Sequence, residues 1–174
     1  MKIFLTGKPG VGKSTVFLRI VEILREKGIK VGGFTTPEVR EKGRRVGFVV
    51  RDLVSGREKM FASIRFEKGK RFGKYKLDVK AFEEIALEAM DFALKRCDVI
   101  AIDEIGKMEF LSESFKEKLG KILKSDRTLI AVLHRKFVKD FRDKGRIIEV
   151  TLENRERIPS EISSLLFSKL NSLR

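Results

Sequence analysis

The chain predicts a three-layer α/β fold with a mostly parallel sheet, and three observations point there. Short, fully apolar runs alternate along the sequence with segments whose apolar residues recur at helical spacing. A strand that is apolar on both faces needs cover on both, which helices on either side provide. A glycine-rich turn joins the first apolar run to the first helical segment.

Taken in order, residues 2–6 (KIFLT) read as a buried strand that ends at glycine. Across residues 13–27, Val16, Phe17, Ile20, Val21 and Leu24 form one helical face, and Gly28 supplies the stop. Residues 30–34 are the next strand. Residues 46–53 (VGFVVRDL) and 58–63 (EKMFAS) flank Val54, Ser55, Gly56 and Arg57, the pattern of an antiparallel hairpin inserted at about 45–63. Residues 65–77 are basic, glycine-containing and expected to be mobile, and no regular structure is assigned there. Asp78 is a good N-cap for a helix over 79–96, which gathers Phe82, Ile85, Ala86, Ala89, Met90 and Ala93 on one face. Residues 99–102 form a continuous apolar strand. A helix follows from Ser112 or Ser114 to Lys124, with Ser114 and Glu117 spaced as a capping box. A buried strand over 128–133, a short helix over 136–144 and a last strand over 147–151 complete the alternation. Pro159 suits the first turn of a terminal helix running towards Leu170.

At 174 residues the chain suits one domain, 1–174, with a sizeable core, and neither repeats nor a linker divides it. Apolar content of 42% with 37% charged residues reads as soluble, and no stretch reaches the length that spans a bilayer. The lone Cys97 excludes an internal disulfide, and with the single His134 it excludes a Cys/His metal cluster. The amino terminus reads as a strand and not as a leader, so a cytoplasmic monomer is expected. The net charge is +14, and between Glu38 and Lys76 there are 13 Lys and Arg against 5 Asp and Glu, a local +8. That excess admits nucleic acid as a partner without favouring it. A polyanionic nucleotide substrate and a thermophile surface rich in Lys, Glu and Arg explain the same charge.

The glycine-rich turn carries the chemistry. Gly7, Lys8, Pro9, Gly10, Val11, Gly12, Lys13 and Ser14, followed by Thr15, fit G-x-x-x-x-G-K-[ST] without a mismatch. Glycines let successive backbone N–H groups converge on phosphate oxygens. Lys13 sets a point charge on the β and γ phosphates, the Ser14 hydroxyl ligates Mg²⁺, and the helix behind aims its positive dipole end at the same anion. The motif lies between an apolar strand and an amphipathic helix, where that mechanism requires it.

Residues 97–104 (CDVIAIDE) put two acids at the carboxyl end of a strand. Asp103 there is placed to hold Mg²⁺ through water, and Glu104 to orient and deprotonate an attacking water. A catalytic Glu directly after that Asp marks the large class of P-loop NTPases in which one more strand separates the two motif strands. Residues 128–133 are the natural candidate, and their end delivers His134 and Arg135 to the γ-phosphate side. No Asn-Lys-x-Asp guanine-reading motif and no LSGGQ segment occurs, which argues against a Ras-like GTPase and a transporter ATPase. A small-molecule or nucleotide kinase stays as the first alternative, because the loop with Pro9 and Gly10 resembles that of adenylate kinases. Against it stand the lack of an arginine-rich lid and the presence of Glu104. A nucleic-acid-associated ATPase is the second.

Several segments together resemble one family, the small nucleoside-triphosphatases of thermophilic bacteria and archaea with their animal relative, the cancer-related nucleoside-triphosphatase. The carrying residues are 7–15, 32–40 (GGFTTPEVR), 43–48 (GRRVGF), 103–109 (DEIGKME), Val150, Thr151, Asn154 and Arg155. The resemblance implies a single-domain Mg²⁺-dependent enzyme that hydrolyses several nucleoside triphosphates with weak base selectivity. It implies that Glu38 and Arg40 lie on the rim of the site and that Asn154 and Arg155 lie near the base or ribose; Lys107 and His134 are further rim candidates, and Arg135, Lys107 or Arg40 a candidate cation for the transferred phosphate. Thr35 and Thr36 stand where relatives often carry an aromatic residue, a departure that bears on nucleotide stacking.

Overall fold

A computed structural model describes residues 1–173. The chain runs β1 (Lys2–Thr6), α1 (Lys13–Glu26), β2 (Val31–Thr35), β3 (Glu38–Glu41), β4 (Arg44–Asp52), β5 (Glu58–Ser63), β6 (Lys70–Phe72), β7 (Tyr75–Leu77), α2 (Val79–Arg96), β8 (Val99–Ile105), α3 (Glu113–Lys124), β9 (Thr128–Leu133), α4 (Val138–Phe141), β10 (Arg146–Glu149) and α5 (Ile158–Asn171). The strands form one sheet in the order β10-β1-β9-β8-β2-β4-β5-β7-β6, with β3 paired to β4. From β10 to β2 every pairing is parallel; from β2 outward every pairing is antiparallel. β9 lies between β1 and β8, the inserted strand that the Asp103–Glu104 pair implies.

Alternation along the central strands explains the three layers. Ile3 and Leu5 point into a core shared with α1 and α5, while Phe4 points into a second core under α2 and α3. The second core is aromatic: the Phe82 ring meets those of Phe34, Phe61 and Phe115 at 5.6, 5.2 and 5.7 Å. Fully burying each such ring contributes about 1.5–3 kcal/mol over leaving it exposed. Among the described residues, no helix is long and apolar enough to cross a membrane.

The antiparallel hairpin forms as β4 and β5, with Phe48 opposite Ala62 and Arg51 opposite Glu58. Residues 65–77, to which the sequence assigns nothing, contain the small β6–β7 hairpin, which turns at Gly73 and pairs through β7 with β5. Strands of three residues, half of them charged, show too little alternation to read, although Tyr75 and Leu77 are buried and Phe72 packs against the core. β8 continues to Ile105, beyond its apolar run, because β2 and β9 keep offering partners: Thr35 opposite Asp103 and Leu133 opposite Ile105. The cap of α3 is Ser112, not Ser114. Its hydroxyl accepts from Phe115 N at 3.0 Å and donates to Glu83 at 2.7 Å, while Ser114 sits exposed inside the helix. The short helix expected over 136–144 is a 3₁₀ turn at Arg135–Phe137 followed by α4. The last strand ends at Glu149, short of the expected Thr151.

Candidate active site

The parallel strands all end at the same edge of the sheet, and the functional side chains collect there. Gly12 caps α1 in a left-handed conformation, φ 101°, that a side chain would strain, and no side chain caps the helix. The first-turn N–H groups of α1 are thereby left for a ligand. Lys13 Nζ bends back over the loop and donates to Gly7 O at 3.1 Å and Lys8 O at 3.0 Å. Burial pulls the Lys13 ammonium down, against the carboxylates of Glu104 and Asp103, which pull it up.

Those carboxylates arrive on the end of β8. Burial pushes Asp103 up to about 6, opposed by the Ser14 hydroxyl bonded to it and by the Lys13 charge. Burial pushes Glu104 up to about 7, helped by Asp103 and opposed by Lys13. Ser14 and Asp103 are hard oxygen donors in mutual contact, and among the described residues no group of three His, Cys, Asp or Glu is placed to form an all-protein cage. That donor set fits Mg²⁺, which takes one or two protein oxygens and completes its shell with phosphate and water.

A third acid completes the set. Glu109 is fully buried in the turn after β8, with Oε1 3.0 Å from the Thr36 hydroxyl and Oε2 without a hydrogen-bond partner. The same hydroxyl lies 3.0 Å from the Asp103 carbonyl. The one hydroxyl proton is shared between two acceptors, the Asp103 carbonyl and the Glu109 carboxyl, and its share to Glu109 opposes the rise that burial imposes there. Burial, reinforced by Glu104, pushes Glu109 up to about 8, which agrees with a neutral acid at pH 7. Thr36 therefore braces the carboxylates, a use the stacking expectation did not include.

These groups share a cavity of about 260 Å³, whose floor is Lys13, Ser14, Asp103, Glu104 and Glu109 and whose far wall is Glu38, Arg45 and Phe48. Glu38 accepts from Arg40 at 2.8 Å and from Arg45 at 3.4 Å, which holds its carboxyl below the usual range. Arg45 also donates to the Tyr75 hydroxyl at 2.9 Å and covers the Phe48 ring at 5.3 Å. Arg40 is turned to its own hairpin, donating to Gly43 O at 2.9 Å. The cavity arginine is thus Arg45, five residues further on. The sequence signal was present, since two arginines precede the VGFVV run, but their direction depends on the bulge between Val39 and Arg40.

His134 and Arg135 follow β9 as expected. Burial and the nearby Lys107, Lys136, Arg135 and Lys13 charges push the His134 imidazole down, so it is neutral at pH 7. Lys107 lies beside Lys136, which loosens the hold of Lys107 on its proton, and Arg135 is exposed and within electrostatic reach of Lys13. On the other side of the loop, Arg155 donates to Val11 O at 3.4 Å. It helps line a hollow of about 690 Å³ with Gly12, Thr15, Arg19, Pro159 and Ser160. Asn154 is outside that hollow: its side chain accepts from Thr151 N at 2.8 Å and donates to Glu149 O at 2.8 Å, fixing the turn that carries Arg155.

A parallel sheet with an added strand between its two motif strands, a glycine-rich loop before α1 and paired acids after β8 define a P-loop NTPase fold. Residues 2–163 match the family model described as NTPase, and the chain belongs to that family. It is 45% identical to the nucleoside-triphosphatase THEP1 of Methanocaldococcus jannaschii, over 98% of this chain and 99% of that one. It is 40% identical to the protein of that name from Thermococcus kodakarensis, over 100% and 98%. Among solved structures, THEP1 from the hyperthermophile Aquifex aeolicus matches with TM-score 0.84 and 37% identity, covering 95% of this chain and 99% of that one. The human cancer-related nucleoside triphosphatase matches at 0.80 and 32%, covering 96% and 97%.

Proposed function

We infer that the protein hydrolyses nucleoside triphosphates to the diphosphate and inorganic phosphate, in a Mg²⁺-dependent reaction with little preference among bases. The names of its relatives support the reaction class, and one observation carries the mechanism: Glu104, half-buried and raised to about 7, faces Lys13 across a small cavity. Ser14 and Asp103 would hold the metal, which when bound neutralises charge on the β and γ phosphate oxygens. Lys13 exchanges its loop carbonyls for phosphate oxygens. Glu104 orients a water in line with the γ-phosphorus and takes its proton. Arg45 on the far wall and Arg135 at the end of β9 balance the charge that develops on the equatorial oxygens. Thr36 and neutral Glu109 hold the acid loop without adding a second negative charge beside Glu104. Arg155 and Thr15 border the hollow beside α1, where the nucleoside would lie.

The test is phosphate release by the purified protein with Mg²⁺ and ATP, GTP, CTP or UTP. Comparable turnover with all four is expected; binding without turnover of any would refute hydrolysis. Arg45 standing over the cavity keeps a kinase reading alive, because it gives the site the arginine wall that the sequence did not reveal. Acceptor-dependent diphosphate formation, screened over nucleosides and monophosphates, separates the two.

A further inference from the structure

The basic residues between Glu38 and Lys76 divide into two sets. Arg51, Arg57 and Lys59 are matched by Glu58, Glu84 and Glu88, and Arg65 by Glu41. Further out the matching stops: among the described residues, Lys42, Arg44, Lys70, Arg71 and Lys74 have no acidic partner, and Lys76 donates to the Glu67 carbonyl at 2.6 Å. On β6 and β7, Arg71 stands directly opposite Lys76 in the register. Like charges facing across two strands oppose pairing, and an anion laid over them relieves that repulsion. Tyr75 and Leu77 turn the other way and are buried, so Arg71 and Lys76 share the outer face, while Lys70, opposite Leu77, starts from the inner side and is exposed at the edge of the sheet.

This patch is joined to the catalytic cavity. Lys74 covers the Tyr75 ring at 5.4 Å, Tyr75 accepts from Arg45, and Arg45 and Phe48 line the cavity that Lys13 and Glu104 line from below. A track from Lys74 through Tyr75 to Arg45 therefore runs on the inner side of the hairpin, and the outer-face pair Arg71 and Lys76 adjoins it at the turn. At the cavity mouth the track includes an arginine lying over an aromatic ring, an arrangement on which a nucleobase can stack.

From this geometry we propose that the antiparallel extension, centred on β6–β7, binds single-stranded nucleic acid with its backbone along Lys70, Arg71, Lys74 and Lys76. A group of cations without acidic partners at the outer edge of a sheet recognises phosphates and not sequence. This binding does not depend on the hydrolytic reading, because none of these side chains touches the acids of β8.

The test is fluorescence anisotropy of the whole protein without nucleotide, using mixed-sequence RNA and DNA strands of about 20 nucleotides, longer than one site. Salt is varied from about 50 to 200 mM, and affinity should fall with a log–log slope near −3, as for four or five phosphates neutralised on a single strand. The variant Lys70→Glu/Arg71→Glu/Lys74→Glu should bind at least about tenfold more weakly and flatten that slope by about 2. Its nucleotide turnover should match the parent, which reports an intact fold. Should the reversed charges disturb the hairpin, seen as lost turnover, the Gln versions of the three residues carry the same test. The exposed-site control Lys95→Glu/Lys124→Glu/Lys169→Glu changes the net charge equally and should keep binding. No binding at the lowest salt overturns the proposal. So does equal loss in both triple variants, or attachment to phosphatidylserine vesicles with no affinity for either strand.

Discussion

Glu104 Oε1 and Glu109 Oε2 converge on the same side of Gly106: a β-carbon on that glycine would lie 3.0 Å from the first and 2.9 Å from the second. Two carboxyls this close do not both ionise readily, and the Glu104 charge adds to the burial that raises Glu109. Glu104, at about 7, ionises before Glu109, at about 8, so near neutral pH one acid is free to act as base while its neighbour stays neutral.

The pair makes stability depend on pH in a stated direction. Both folded-state values are raised, so between about pH 5 and 8 the folded protein holds protons that the unfolded chain has released, and stability falls as pH rises through that window. Glu109→Gln keeps an acceptor oxygen for the Thr36 hydroxyl and removes the ionisation. It should melt later than the parent at pH 8, by on the order of 2–4 kcal/mol, and no later at pH 5. Thermal melts of both proteins across that range check it; a parallel pair of curves would mean Glu109 titrates normally.

The cap of α3 gives a paired stability prediction. Ser112→Ala removes a buried hydroxyl that serves both Phe115 N and Glu83, and should cost about 1–2 kcal/mol. Ser114→Ala, on the exposed face, should change stability by less than about 0.5 kcal/mol. Urea midpoints with unchanged m-values would establish the difference, and equal effects would return the cap to Ser114.

That pair of serines also shows what a sequence can convey. Asp78 and its helix were legible to the residue, since one N-cap precedes one apolar face and nothing competes. At 112–114 two serines compete, and the choice falls to Glu83 on α2, which is invisible without the tertiary fold. The triphosphate loop, Asp103 and Glu104 were legible because their chemistry fixes their spacing. Arg45, Thr36 and Glu109 lie in segments that carry the family resemblance, but their place in the site was not legible, because a strand register, a bulge and a buried turn bring them to the cavity.

Arg45 should matter to the chemical step. Its guanidinium is anchored by Tyr75 and Glu38 and turned to the cavity, so Arg45→Ala should lower kcat on the order of 10²-fold, the usual worth of a fixed donor to the transition state. Arg45→Lys should not restore it, since an ammonium cannot hold both anchors and cover the Phe48 ring. Single-turnover rates at saturating nucleotide test this, and an unaltered kcat would transfer the role to Arg135.

Arg155 should behave differently. It touches the loop backbone and borders the hollow on the far side of α1 from the acids, so Arg155→Ala removes binding common to ground and transition states. KM should rise by roughly tenfold with kcat kept within about twofold. A fall in kcat without a change in KM would place Arg155 in the chemistry instead.

The sharpest separation of binding from chemistry lies in Lys13, Asp103 and Glu104. Lys13→Ala removes a cation that meets the triphosphate before and during transfer, so affinity and turnover should fall together. Asp103→Asn weakens the metal site, and its lost rate should be partly recovered at high Mg²⁺. Glu104→Gln keeps the shape and hydrogen-bonding reach of the side chain but cannot take a proton from water. It should bind Mg²⁺ and nucleotide nearly as the parent does and lose roughly 10²–10⁴-fold in turnover. In the parent, kcat/KM should climb as pH rises through about 7, where Glu104 ionises, and level off above it. In Glu104→Gln that rise should vanish from whatever activity is left. A variant that hydrolyses at the parental rate, with the same rise, would exclude Glu104 as the base and leave Glu109, the next acid in the same cavity, to be tested in its place.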